Sequence, residues 1–293
     1  MVFDMDEVDF TIDKNQGVAI VGLGLIGGSI AGALSQKGFR NIMAVDIKSG
    51  IIEDAVKKKF IKFGDSKAEK ILNLADIVIV CLYPKETIEF IKEHMKDFKY
   101  KALITDVSGI KLDLIGQINS CLRDDLEFVG GHPMAGSHFK GIAYANPKMF
   151  LNANYIITPT VRSSDEAICK IRSLAKMLGC KSISEINPGK HDEAMAIASH
   201  MPHITALALM DMCNVKEIKE LLGPSFKDAT RVAQINSSLW AQLFISNRVN
   251  LNEQIWQMEK KMEEIRKAIS NSDVAKLEEI MDKAKQKRES LVL

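Results

Sequence analysis

Short apolar runs alternate with amphipathic stretches over the first two thirds of the chain. Val18 to Val21, Asn41 to Asp46, Leu74 to Leu82, Ala102 to Val107, Glu127 to Gly130, Tyr155 to Thr158 and Lys181 to Ile186 read as strands. Most are apolar throughout, the pattern of parallel strands covered on both faces. Between them, Leu25 to Leu34, Ser49 to Lys59, Lys85 to Met95, the stretch after Lys111 to Cys121, and Ser164 to Leu178 have helical periodicity. Ser163-Ser-Asp165 supplies a cap for the last of these helices. Strands alternating with helices predict an α/β domain with a doubly wound, mostly parallel sheet. At Asn187-Pro-Gly189 the pattern changes, and only helical periodicity follows. Met195 to Met212 is apolar nearly all round, which predicts a buried helix. Leu251 to Lys287 is highly charged, with Ile255, Met258, Met262, Ile265 and Ile269 at helical spacing and a break with an N-cap at Asn271-Ser-Asp273. The division predicted is an α/β domain over 1–186 and an all-helical domain over 187–293.

Composition narrows the class. The net charge is +1 with 26% charged residues, so nothing favours nucleic acid or an anionic membrane surface as partner. No apolar run reaches the length of a membrane span. Met1 to Gln16 carries Asp4, Asp6, Glu7, Asp9 and Asp13, the opposite of a basic signal-peptide start. The five cysteines are scattered without Cys-x-x-Cys spacing and read as reduced packing thiols of a cytoplasmic protein.

The first candidate chemistry lies at the end of the first strand. Val18-Ala-Ile-Val runs into Gly22-x-Gly24-x-x-Gly27, then a helix, then a second strand ending in Asp46. In that order the residues form a dinucleotide fingerprint. Gly22 makes the tight turn, Gly24 admits the pyrophosphate, and Gly27 lets helix and strand approach, with Leu25 and Ile26 at the helix start. Asp46, roughly 20 residues on, suits the adenosine ribose hydroxyls and favours NAD over NADP, with Lys48 close by. Tyr83-Pro84 ends the next strand but one at the level where ligands gather. This is the plan of a Rossmann-type domain.

A second constellation contains most of the histidines. His132 follows a strand, just past its end, where reacting groups sit in such sheets. In Ser199-His200-Met-Pro-His203 both histidines share one face of an apolar helix and need polar partners or a ligand. His-x-x-His without a third ligand at motif spacing does not make a metal site. Arg231 follows Gly223-Pro224 and by itself reads more readily as a solvated or salt-bridged arginine.

Taken together, Gly22 to Ser29, Asp106-Val-Ser-Gly-Ile-Lys111, Gly131-His-Pro-Met-Ala-Gly136, Ser199 to His203, and Thr230-Arg231 with Trp240 to Arg248 resemble the prephenate/arogenate dehydrogenase family of tyrosine biosynthesis. The resemblance runs from about Gly17 to Asn250. It implies NAD-dependent oxidation and decarboxylation of prephenate, giving 4-hydroxyphenylpyruvate and CO2. It also implies His132 as general base, Arg231 as the carboxylate anchor, and Ser199, His200 and His203 as the substrate wall. Trp240 is expected to approach the partner subunit's site in a homodimer built through the helical domain. Two departures stand out. Relatives usually have Ser where this chain has Gly109, with Ser108 the nearest substitute as catalytic and cofactor contact. Relatives commonly have Thr-Glu where this chain has Ser137-His138, which bears on the choice between keto acid and amino acid and on sensing of tyrosine. About 40 residues follow Asn250, too few for a further regulatory domain beside dimer helices, so tyrosine feedback is expected to act at the active site. Arogenate dehydrogenase, with the same chemistry, is the alternative that no single residue separates. A β-hydroxyacid dehydrogenase lacks its catalytic lysine here, and a non-catalytic NAD-sensing module would leave His132 and Arg231 without a role.

Overall fold

The computed structural model describes residues 12–137, 139–214 and 219–291. Its strands are β1 (Val18–Val21), β2 (Ile42–Val45), β3 (Phe63–Asp65), β4 (Ile77–Val80), β5 (Leu103–Asp106), β6 (Glu127–Pro133), β7 (Asn154–Thr158) and β8 (Ser182–Glu185). They form one sheet in the order β3-β2-β1-β4-β5-β6-β7-β8. The first six in that order are parallel; β7 runs antiparallel to β6, and β8 parallel to β7.

Alternation along each strand explains why whole strands are apolar. Ile20, Ile79, Leu103 and Val129 meet Ile30 and Leu34 of the helix Leu25–Gln36 and Ile171 and Leu174 of the helix Asp165–Leu178 on one face. Val21, Val78, Val80, Ile104 and Phe128 meet Ile88 and Ile91 of the helix Pro84–Glu93 and Leu114 and Ile118 of the helix Leu112–Asn119 on the other. Each fully buried Ile or Leu contributes roughly 1.5–3 kcal/mol, so the sheet is a stiff platform for the loops at its carboxyl edge. Ser164 caps its helix as expected, accepting from the Ala167 N–H at 3.1 Å.

Three features depart from the sequence reading. β3 and the short helix Glu69–Leu72 were not predicted; β3 is a three-residue edge strand with a half-exposed face and no apolar run to reveal it. His132 lies inside β6 rather than past its end. β5 stops pairing at Val129, but β7 takes over as an antiparallel partner, with His132 opposite Ile156. The expected continuous helix from Met195 contains a π turn over Ala196–His200 between the helices Pro188–Met195 and Met201–Asp211. Pro202 has no N–H to give to residue 198 and its ring crowds that carbonyl, which is a sufficient reason for the widened turn. Nor is the stretch buried in its own chain: Ile197 is 60% and Met212 84% exposed. The charged C-terminal pattern resolves into the helices Arg248–Ser270 and Val274–Glu289, with Asp273 capping the second at the Lys276 N–H.

Candidate active site

The strand order reverses between β1 and β4, the switch point at which ligands bind in open α/β sheets. A cleft of about 710 Å³ opens there. Gly24, Leu25 and Ile26 line one end, Tyr83, Ser108, Gly109 and His132 the floor, and Ser199, His200, His203, Arg231 and Trp240 the facing wall. Eleven of the candidates named from sequence thus meet in one cavity, counting all of these except Gly109, which was singled out as a departure. Gly22, Gly27 and Asp46 do not line it, and His138 lies outside the described residues.

The residues at the glycine turn fit a dinucleotide. Gly22 has φ of +88°, and a side chain on Gly27 would run into the Gly22 carbonyl oxygen. By contrast nothing lies within 4 Å of where a Gly24 side chain would begin, so that face is open to a bound group. The helix from Leu25 has no side-chain cap and no acid in its first turn, leaving its amides to an anion. Asp46 braces the turn from β2: its carboxylate accepts from the Leu23 N–H at 2.9 Å and the Lys48 N–H at 3.0 Å. Each oxygen keeps a lone pair for a ribose hydroxyl.

His132 is fixed from behind. Its Nδ1 lies 2.9 Å from Nε2 of His191, whose Nδ1 lies 2.7 Å from Oδ1 of Asp192. Asp192 also accepts from the main-chain N–H groups of Lys111 and Leu112, both at 2.9 Å. A second carboxylate, Asp106, accepts from the Gly131 N–H at 3.2 Å, the Ser108 N–H at 2.8 Å and the Lys111 ammonium at 2.6 Å. Lys111 and Asp106 are fully buried, and burial pushes the ammonium below its ordinary range while the two aspartates draw it back up. This node ties the Ser108 loop to the strand that bears His132. Burial pushes the His132 imidazolium well down, with His191, Lys111 and His200 adding to the effect, so the ring is neutral at physiological pH. The Ser108 hydroxyl is buried without a partner among the described residues.

The helical wall is built differently. Trp240 lies against the His203 ring at 3.6 Å between centroids and edge-on to His200 at 6.0 Å. It lines the cleft of its own chain, beside the two histidines. His203 Nδ1 donates to the Ser199 carbonyl at 2.8 Å, and Asn247 Nδ2 bridges His200 Nδ1 at 3.3 Å and the Asp192 carbonyl at 2.8 Å. Burial pushes His200 down to about 4. His203 is also lowered, by burial first, with Arg231 adding to it and the Ser199 carbonyl opposing it. Arg231 is exposed and has no carboxylate within ion-pair distance among the described residues. Tyr83 and Asn236 hydrogen-bond across the cleft mouth.

His191, Asp192 and Asn247 are absent from the sequence reading, and Asp106 and Lys111 entered it only as ends of a motif. His191 and Asp192 come one residue after Asn187-Pro-Gly189, and a histidine beside an acid at the change of pattern was the available signal.

Known proteins share this chain's sequence pattern and fold. The model of the prephenate dehydrogenase nucleotide-binding domain matches residues 30–184, and that of the prephenate dehydrogenase dimerization domain matches residues 187–283. A prephenate dehydrogenase of Lactococcus lactis subsp. cremoris is 31% identical over 94% of this chain and 77% of its own length. The crystal structure of prephenate dehydrogenase from Aquifex aeolicus with hydroxyphenyl propionate and NAD+ superposes with a TM-score of 0.86 at 28% identity, covering 94% of this chain and 98% of that one. The arogenate dehydrogenase of Synechocystis superposes with a TM-score of 0.81 at 27% identity, covering 94% and 99%.

Proposed function

The chain belongs to the prephenate dehydrogenase family, and from that premise we propose how its cleft carries out the NAD-dependent oxidative decarboxylation of prephenate to 4-hydroxyphenylpyruvate. NAD supplies the acceptor for the hydride leaving C4 of the cyclohexadiene ring. His132 removes the proton of the 4-hydroxyl, and the ring carboxylate departs as CO2 while its bond electrons enter the ring, which becomes aromatic. A neutral imidazole suits that task near neutral pH. Arg231 holds a substrate carboxylate through its planar fork. Ser199, His200, His203 and Trp240 close the other side, and the free Ser108 hydroxyl is left to the substrate hydroxyl or the cofactor. Gly22, Gly24, Leu25, Ile26 and Gly27 hold the pyrophosphate, Asp46 the adenosine ribose, and Tyr83 the cofactor's flank.

The carrying observation is a buried neutral histidine and an arginine with no ion pair among the described residues, in one cleft that begins at an open helix N-terminus. Charge favours the keto acid over arogenate. Lys140 and Arg231 line the cleft and no acidic side chain does so among the described residues, which suits two carboxylates and offers no partner to an ammonium group.

The reading extends to assembly. We assign nucleotide binding to 1–186 and substrate wall plus dimer contact to 187–293. Ile197, Met212, Ile245 and Val249, 60–84% exposed, are apolar positions that a second copy would cover, giving a homodimer. No helix among the described residues is long and apolar enough to cross a membrane, and we place the enzyme in the cytoplasm.

Absorbance of NADH, followed with prephenate or arogenate and with NAD or NADP, tests the function. The expected result is turnover of prephenate with NAD, reduced about 10³-fold in His132→Asn. Turnover of arogenate alone would change the substrate. NAD binding with no turnover of either would remove the catalytic reading and leave an NAD-sensing module.

A further inference from the structure

Nothing in the cleft decides which nitrogen of His132 carries the proton in the neutral ring. The residues behind it do. Asp192 is 4% exposed, and two main-chain N–H groups already point at its carboxylate, which can only accept. His191 must therefore donate to it from Nδ1. A neutral His191 protonated at Nδ1 has only a lone pair at Nε2. That lone pair lies 2.9 Å from Nδ1 of His132, so His132 is the donor there. With its proton on Nδ1, His132 keeps a lone pair on Nε2. Nε2 is the nitrogen toward the cleft: it lies 3.7 Å from where a side chain on Gly109 would begin.

We propose that His191 and Asp192 are positioning residues for the base, fixing His132 in the tautomer whose free lone pair faces the substrate hydroxyl. The inference rests on the reading of His132 as that base. His191 is fully buried and is not among the residues that line the cleft, so it acts through His132. The arrangement also accommodates the reaction. When Nε2 takes the hydroxyl proton, the His132 cation still donates from Nδ1 to His191, and the Asp192 carboxylate stands one ring further back to balance the charge. The three residues come from two parts of the fold. His132 is on β6, while His191 and Asp192 are on the helix Pro188–Met195, whose start is fixed by Asn187 accepting from the Gly189 N–H at 2.8 Å. Asn247, donating to the Asp192 carbonyl, holds that helix against the next layer.

Two measurements test this. Nitrogen NMR of the wild-type enzyme labelled at histidine, with NAD bound at neutral pH, should show His132 protonated at Nδ1 and bare at Nε2, and His191 likewise. His191→Phe keeps a planar aromatic ring and removes both nitrogens; it should lower kcat about 10²-fold while KM for NAD changes little. His191→Gln, whose amide oxygen can still accept from His132, should recover most of that loss. A His132 found protonated at Nε2, or a His191→Phe enzyme within about twofold of wild type, would overturn the proposal. His132→Asn, assayed alongside, separates the two readings. If it retains activity, the base assignment fails and takes this inference with it. If it is inactive while His191→Phe is active, only the positioning role fails. The NMR result needs no variant, so a misfolded mutant does not leave the question open.

Discussion

The two walls of the cleft solve the same problem in opposite ways. On the sheet side the titratable groups around His132 have partners inside the protein. His132 has His191, Asp192 has two backbone amides, and Asp106 has Lys111 with two more. On the helical side Arg231 has none among the described residues, and the histidines lean on Trp240 and single hydrogen bonds. Buried polar networks that are fully satisfied specify one geometry. An unpaired cation at a cavity wall is instead waiting for a ligand. The chemistry is thus carried by the wall whose base is held in place before substrate arrives, and recognition by the wall that substrate completes.

Arg231→Ala should therefore separate the two most strongly. Removing a cation from a carboxylate it alone neutralises costs roughly 3 kcal/mol, on the order of 100-fold in kcat/KM. Because Arg231 has no hydrogen bond or ion pair to lose among the described residues, the melting temperature should stay within about 2 °C. Steady-state kinetics and calorimetry on one preparation check both halves. A large drop in Tm would mean that Arg231 is structural and the contrast between the walls is false.

The glycine turn offers a second division, somewhat smaller. Gly27→Ala forces a methyl group into the Gly22 carbonyl, so the helix or the turn has to move, at about 2–3 kcal/mol of stability. Gly24→Ala meets no protein atom and should leave Tm unchanged while weakening NAD. Thermal melts with and without NAD distinguish them. Equal stability losses would show that the open face at Gly24 is not where the cofactor lies.

How much of this could be read from the chain depends on whether the cause is local. Val18 to Val21 and Ile77 to Val80 announce themselves because being covered on both faces demands continuous apolar residues. The glycine fingerprint is legible because its causes are local, a positive φ at Gly22 and the approach of Gly27 to the Gly22 carbonyl. β3 is not, because Phe63-Gly-Asp65 is a half-exposed edge. The π turn becomes intelligible only once Pro202 is seen to deny a hydrogen bond to residue 198. His191 was missed because its meaning depends on a ring 59 residues away, a pairing that exists only after β6 and the helix Pro188–Met195 have packed. The departure at Gly109 was visible, but its consequence was not.

Acid should weaken both walls, more gently. His132, His200 and His203 all titrate below the ordinary range in the folded protein, mainly through burial. Unfolded, each would titrate near 6.5. Between those limits the unfolded chain binds more protons, so stability is full above about pH 7 and falls as pH drops toward 4, by up to ~1.4 kcal/mol per unit for each histidine. Calorimetry from pH 8 to pH 5 should show Tm declining throughout that window. A flat profile would mean that these rings are already charged in the fold, and His132 could then not serve as base.

The smallest expected effect is the most informative about the sheet wall. The family resemblance implies Ser where Gly109 stands. Gly109 is outside the left-handed region of φ, and a side chain there would meet Leu243 at 3.4 Å and His132 Nε2 at 3.7 Å, ordinary contact distances. Gly109→Ser should therefore fold normally, with its hydroxyl in reach of Nε2. If His191 already sets the tautomer and orientation of His132 from the other side, a second hydrogen bond has little left to fix. A net bond of that kind contributes about 1 kcal/mol at most, and part of it is spent in competition with the substrate hydroxyl for the same lone pair. The change in kcat should be no more than about threefold in either direction. A gain much larger than that would show that the ring is under-constrained in the native enzyme, so that the sheet wall depends on the substrate as the helical wall does. A Gly109→Ser, His191→Phe double variant sharpens the point. If serine restores activity only when His191 is gone, the two residues perform one task from opposite faces of the same imidazole.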